Sequence, residues 1–77
     1  MKFTKTNFNE KQTIVKGRTF EILGDSKDDY YSVFGATKEE VAKYQHKLDS
    51  FVPSKSQSGK FKKLSDAKKF IELVVGK

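Results

Sequence analysis

No cysteine occurs among the 77 residues, and histidine, arginine, proline and methionine occur once each. Without cysteine the chain can form neither a disulfide nor a thiolate metal site, and His46 alone cannot supply an imidazole-rich one. A reducing, intracellular (cytoplasmic) setting is the expectation this composition favours. Apolar runs reach four residues at most, far short of a helix that crosses a bilayer. The opening residues MKFTKTNFNEKQ have no apolar centre of the kind a signal peptide needs, so no membrane partner is expected.

Catalytic groups are equally sparse. Two-metal hydrolysis needs several carboxylates converging on one point. The acidic cluster Asp25, Asp28 and Asp29 sits within one polar turn instead, and its spacing fails the calcium-loop pattern. His46 lies two positions from both Tyr44 and Leu48, so on a helix it points away from the apolar stripe, and no nucleophile is placed to complete a triad. The glycines, Gly17, Gly24, Gly35, Gly59 and Gly76, stand singly at element boundaries and form no phosphate-cradling loop. The chain is therefore expected to be non-catalytic and to carry no cofactor.

Positive charge is what the sequence has in excess. Sixteen Lys and Arg against ten Asp and Glu give a formal charge of +6, which favours a polyanionic partner. Every cation except Arg18 is lysine, a point charge suited to phosphate contact rather than to bidentate base reading. The length allows one domain, near the lower size at which a core outweighs chain entropy without staples.

The order of signals predicts an α+β fold. Residues 1–12 are polar, with Phe3 and Phe8 as anchors, and read as an arm or an added edge strand; residues 13–77 read as a single domain. Residues 13–15 and 18–23 flank Lys16-Gly17 as a hairpin, with Phe20 and Ile22 on one face. After the polar turn, residues 30–34 alternate so that Tyr30, Ser32 and Phe34 share one side and Tyr31 and Val33 the other. Thr37 and Glu40 match a capping box, and Val41, Tyr44, Leu48 and Phe51 extend the helical spacing towards Pro53, with Glu39 and Lys43 spaced as an outer ion pair. A polar connection, VPSKSQSG, leads to a short strand at residues 60–63. A last helix follows, with Ser65 as cap, Ala67, Phe70, Ile71 and Val74 as buried stripe, and Gly76 as terminator. The expectation is an antiparallel sheet of about three strands, with an optional N-terminal strand, against two helices in the order ββαβα.

The unexplained residues are the lysines of GKFKKLSDAKK. Lys60, Lys62 and Lys63, with Lys55 before them and Lys68 and Lys69 behind, read as one cationic patch beside a helix N-terminus. Exposed rings at Phe61 or Tyr31 would pack on sugars or bases, while Phe61 fits a core position equally well. The alternative is a small interaction protein, for example a virus- or phage-encoded regulator that docks on a host protein through the aromatic strand 30–34 and the Phe3/Phe8 arm.

TFEIL at residues 19–23, YYSVFG at 30–35, TKEEV at 37–41 and KFKKLSDAKKFIEL at 60–73 together resemble the N-terminal hybrid-binding domain of eukaryotic-type ribonucleases H, a fold shared with the caulimovirus viroplasmin domain. The resemblance implies a non-catalytic module for double-stranded nucleic acid: RNA–DNA hybrid, double-stranded RNA or DNA. It assigns Phe61 to a sugar of the DNA strand and Lys62 and Lys63 to phosphates, with Lys60 as the preceding cation. It also implies a tryptophan where this chain has Lys38, and a basic stretch where this chain has Asp25, Asp28 and Asp29.

Overall fold

The computed structural model describes residues 3–7, 10–24, 30–52 and 58–76. Strands β2 (Glu10–Val15) and β3 (Arg18–Leu23) form a hairpin closed by Lys16 and Gly17 at φ 53° and 78°. Two consecutive left-handed residues make the turn whose twist matches that of the strands it joins. Strand β1 (Thr4–Asn7) pairs with β2 through a register irregularity between Lys5 and Asn7. Strand β4 (Tyr31–Phe34) pairs with β3, and β5 (Gly59–Phe61) with β4, every pairing antiparallel. Among the described residues the sheet has five strands in the order β1-β2-β3-β4-β5. The α+β class and the two helices, α1 (Lys38–Tyr44) and α2 (Leu64–Val74), agree with the sequence reading. The count of about three strands and the order ββαβα do not, because β1 adds an edge strand and β2 begins as early as Glu10.

Two helix boundaries also differ. The first helix was expected to run to Phe51, but α1 stops at Tyr44, continues as a 3₁₀ turn over Gln45–Lys47, and becomes extended at Leu48 (φ −111°, ψ 132°). The backbone beyond it finds partners on β5 instead: Val52 N donates to Lys60 O at 2.7 Å and Lys62 N to Ser50 O at 2.9 Å, with Phe51 bridged to Phe61. Helix α2 begins before Ser65, with Lys63 in the cap position and no side-chain cap bond. Ser50 meets that helix start from the preceding segment. Its Oγ accepts from Lys63 N at 3.3 Å and donates to the Asp66 carboxylate at 2.6 Å.

Helices α1 and α2 lie on one face of the sheet, where Phe20, Ile22, Val33 and Phe61 meet Val41, Leu48, Ala67, Phe70, Ile71 and Val75. Phe61 and Phe70 pack with ring centroids 5.2 Å apart. The hairpin turn is tied to the end of α2, where Lys16 Nζ donates to Val75 O at 2.8 Å and so serves an unpaired helix carbonyl. Gly76, at φ 80°, ends the helix as expected.

A second tie joins β3 to α1. Arg18 donates from Nη1 to Glu40 Oε2 at 2.8 Å and from Nη2 to Glu40 Oε1 at 2.7 Å, and its guanidinium carbon lies 4.9 Å from the centre of the Phe20 ring. Glu40 also completes the capping box, accepting from Thr37 N while Thr37 Oγ1 accepts from Glu40 N. Glu39 and Lys43, by contrast, are exposed and make no ion pair with each other.

Arg18 and these backbone bonds hold the Glu40 carboxyl well below its usual value of 4.5, at about 2. A carboxylate whose folded value is depressed stabilises the fold above its unfolded value, and that contribution is lost as pH falls from about 4.5 through about 2. Both side chains are partly exposed, so solvent screening reduces the effect to about 0.5–1 kcal/mol. Glu40→Gln is expected to lower stability by that amount in urea titrations at pH 7, and the gap between variant and parent should close at pH 2.

Candidate functional site

Strand alternation divides the sheet into a covered and an uncovered face. With Phe20, Ile22, Val33 and Phe61 turned towards the helices, the pairings Ile14↔Thr19, Glu21↔Phe34 and Glu10↔Leu23↔Ser32↔Lys60 place those residues on the opposite side. No helix among the described residues covers that side. The large hydrophobic side chains exposed among the described residues all belong to it: Ile14 at 68 %, Phe34 at 44 %, Tyr30 at 37 % and Leu23 at 36 %. Charge on this face is graded, with Glu10 on β2, Glu21 on β3 and Lys60 on β5.

One corner of the uncovered face combines an aromatic ring with a cation. Lys60 Nζ lies 4.7 Å from the centre of the Tyr30 ring and 3.5 Å from its hydroxyl. Lys62 and Lys63 are exposed in the turn that follows β5. Backbone bonds from both residues to Ser50 fix this turn while leaving the lysine side chains outward. None of Lys60, Lys62 and Lys63 has an ion-pair partner among the described residues, so the fold does not neutralise their charge.

The other residues singled out from the sequence do not join this corner. Phe61 is fully buried against Phe70. Strand parity turns it inward between the outward Lys60 and the exposed Lys62, so it is a core residue and cannot lay its ring on a ligand. Tyr31 shares the helix-covered side and is half-buried against the core. Lys68 places Nζ 5.2 Å from the Phe3 ring centre, so Phe3 packs inward and is not a free anchor. Lys69, about 100° further round α2, borders a shallow groove with Lys47, Leu48, Glu72 and Leu73. The α2 N-terminus already faces the carboxylate of Asp66 in its first turn. The single cationic patch expected along residues 55–69 is therefore divided among separate surfaces. Lys55, Phe8 and the acidic cluster Asp25, Asp28 and Asp29 lie outside the described residues.

His46 is exposed, as its helical position predicts, and no metal-holding group of three or more His, Cys, Asp or Glu occurs among the described residues. No described helix is long and apolar enough to cross a membrane. Ile14 and Leu23 were not singled out from the sequence, although the signal was present. Once Phe20 and Ile22 face inward, period two turns Leu23 outward, and pairing across the hairpin does the same for Ile14. Comparison of the chain with protein-family models, curated proteins and solved structures finds no match.

Proposed function

We propose that the chain is a non-catalytic nucleic-acid-binding module that holds the phosphate backbone with Lys60, Lys62 and Lys63 at the β5 edge of its uncovered sheet face. The observation that carries this reading is the pairing of Lys60 with the exposed Tyr30 ring on a face that no described helix covers, beside two further lysines without an ion-pair partner among the described residues. A polyanion gains affinity there by releasing its counterions, and the net charge of +6 attracts it from a distance. Lys62 and Lys63 are the residues that the resemblance to the hybrid-binding domain assigns to phosphates, with Lys60 as the preceding cation, so RNA–DNA hybrid and double-stranded RNA belong among the ligands tested. The ring assigned by that resemblance, Phe61, is replaced in this reading by Tyr30 and Phe34.

The test is charge reversal at matched net charge. Lys60→Glu, Lys62→Glu and Lys63→Glu combined should abolish measurable binding near physiological salt and reduce the slope of log K against log salt by about 2 to 3. Lys43→Glu, Lys47→Glu and Lys69→Glu combined, on the helical layer, should weaken binding far less. Equal losses in both triple variants would mean that net charge alone attracts the ligand and that the site assignment is wrong.

A second reading rests on its own observation. Ile14 is the most exposed of the large apolar side chains among the described residues and stands at the end of the face away from Lys60, Lys62 and Lys63. An apolar patch edged by both signs of charge suits a protein partner, the role of a small regulator docking on a host protein. Stoichiometric recovery of one protein after nuclease treatment, lost on Ile14→Lys, would favour it over the first.

A further inference from the structure

The uncovered face has a shape and a charge order that select one form of nucleic acid. Resting on the nucleic-acid reading above, we infer that the ligand is a single strand, laid with its phosphates along β5 and its bases over β4 and β3.

Three observations lead there. Tyr30 and Phe34 are exposed on the same side, one just before β4 and one at its end. They stand about 13 Å apart at strand rise, several times the ~3.4 Å step between stacked bases on a duplex strand. Rings so spaced can be covered only by bases that have left a regular stack. A duplex keeps its base faces inside, so its outer surface offers these rings nothing to stack on, whereas an unpaired base presents its full π-face.

The surface is also a sheet face rather than a projecting element. Reading a duplex from its major groove takes a helix or a two-stranded ribbon inserted into that groove. Helices α1 and α2 lie on the opposite side of the sheet, against the core, and β4 is flanked on both sides by paired strands. A strand of bases can lie across such a face where a duplex would touch it along one line.

Charge then fixes the direction across the sheet. Across the uncovered face Glu21 on β3 stands opposite Phe34, and Lys60 on β5 stands opposite Ser32. Phosphates are repelled from the β3 side by Glu21 and attracted to the β5 side, where Lys62 and Lys63 continue the cationic edge. Bases reaching from that edge pass Tyr30 and Phe34 and end near Leu23 and Glu21. The Glu21 carboxylate can accept a hydrogen bond from an exocyclic amine of adenine, cytosine or guanine. Lysine in place of arginine leaves the backbone contacts without sequence preference.

The experiment measures affinity at fixed salt for oligo-dA of about twelve nucleotides alone, annealed to oligo-dT and annealed to oligo-rU, and for the free oligo-rU. The single strands should bind at least tenfold more tightly than either duplex form. Tyr30→Ala and Phe34→Ala should each weaken single-strand binding about tenfold, within the range of lost base stacking, and leave duplex binding unchanged. Tyr30→Phe, which keeps the ring face, should bind like the parent, and dispersed amide spectra would establish that each variant folds. Duplexes binding as tightly as single strands, or alanine variants that bind single strands like the parent, would overturn this inference. The nucleic-acid reading would survive that result if the Lys60/Lys62/Lys63 reversal still abolished binding. Failure of every oligonucleotide to bind would remove both.

Discussion

Phe61→Ala is expected to cost about 3–5 kcal/mol of folding stability, the range for truncating a fully buried phenylalanine. A 77-residue domain has about 4–11 kcal/mol to lose at ordinary stability per residue, so the variant should lose between about a quarter and all of its folding stability. The cost follows from position. The ring is completely buried, it packs 5.2 Å from Phe70, and its backbone sits between β4 on one side and Phe51 on the other. Removing it opens a cavity where the sheet, α2 and the residues after α1 meet. Phe61→Leu should cost about 1–2 kcal/mol, because most of the volume is kept. Lys62→Ala, one position along and exposed, should change stability by less than about 0.5 kcal/mol. Urea titration of the set separates the two accounts of this stretch. A Phe61→Ala variant that stays near parental stability would return Phe61 to the surface and to the ligand.

Gly35→Ala is the second large expected effect, at about 3 kcal/mol or more. Gly35 links β4 to α1 at φ +110°, a conformation that L side chains rarely adopt. A Cβ there would collide with the Thr19 carbonyl oxygen and come within 3.0 Å of Phe20 Cδ1 and 3.1 Å of Phe20 Cα. Those atoms belong to the middle of β3 and to a fully buried ring, so none can move aside without disturbing the sheet. The Gly35 carbonyl also accepts from Arg18 Nη2 at 3.2 Å, so a shifted backbone would loosen the Arg18–Glu40 tie as well. Thermal unfolding by circular dichroism should show a fall in Tm well beyond that of Thr37→Ala, which loses one cap bond worth about 1 kcal/mol. Equal effects would mean that the link between β4 and α1 tolerates a side chain.

These two positions show how the sequence was legible in its elements and less so in their assignment. The core residues Ala67, Phe70 and Ile71 followed from helical spacing in α2, and period two in the strands placed Phe20 with Ile22, both of them core, on one face. The capping box at Thr37 and the terminator at Gly76 were readable from local chemistry. What local pattern could not supply was competition between partners. Val41, Tyr44, Leu48 and Phe51 keep helical spacing, yet the backbone after Leu48 pairs with β5 because that strand edge offers Lys60 O and Lys62 N. Ser65 resembles a cap, but Ser50, distant in sequence, engages the start of α2. The polar N-terminal residues gave no apolar alternation, and β1 exists because the free edge of β2 accepts it.

The candidate site was legible in part for the same reason. Lys60, Lys62 and Lys63 stand out by composition, and alternation placed Tyr30 and Phe34 together on one side. Alternation cannot say which side the helices cover. Only the covered side decides that Phe61 is core and that the rings of Tyr30 and Phe34 are the ones a ligand can reach. Lys68 and Lys69, adjacent in sequence, separate because successive helix positions turn by about 100°.

On the proposed reading, nucleic acid binds the uncovered sheet face at β4 and β5. Amide shifts followed while single-stranded oligo-dA is titrated into the isotopically labelled protein test it most directly. The largest changes are expected at residues 30–34 and 59–63, with α1 and the outer side of α2 nearly unmoved. Changes centred instead on Lys43, Lys47 and Lys69, or no saturable change at all, would contradict it.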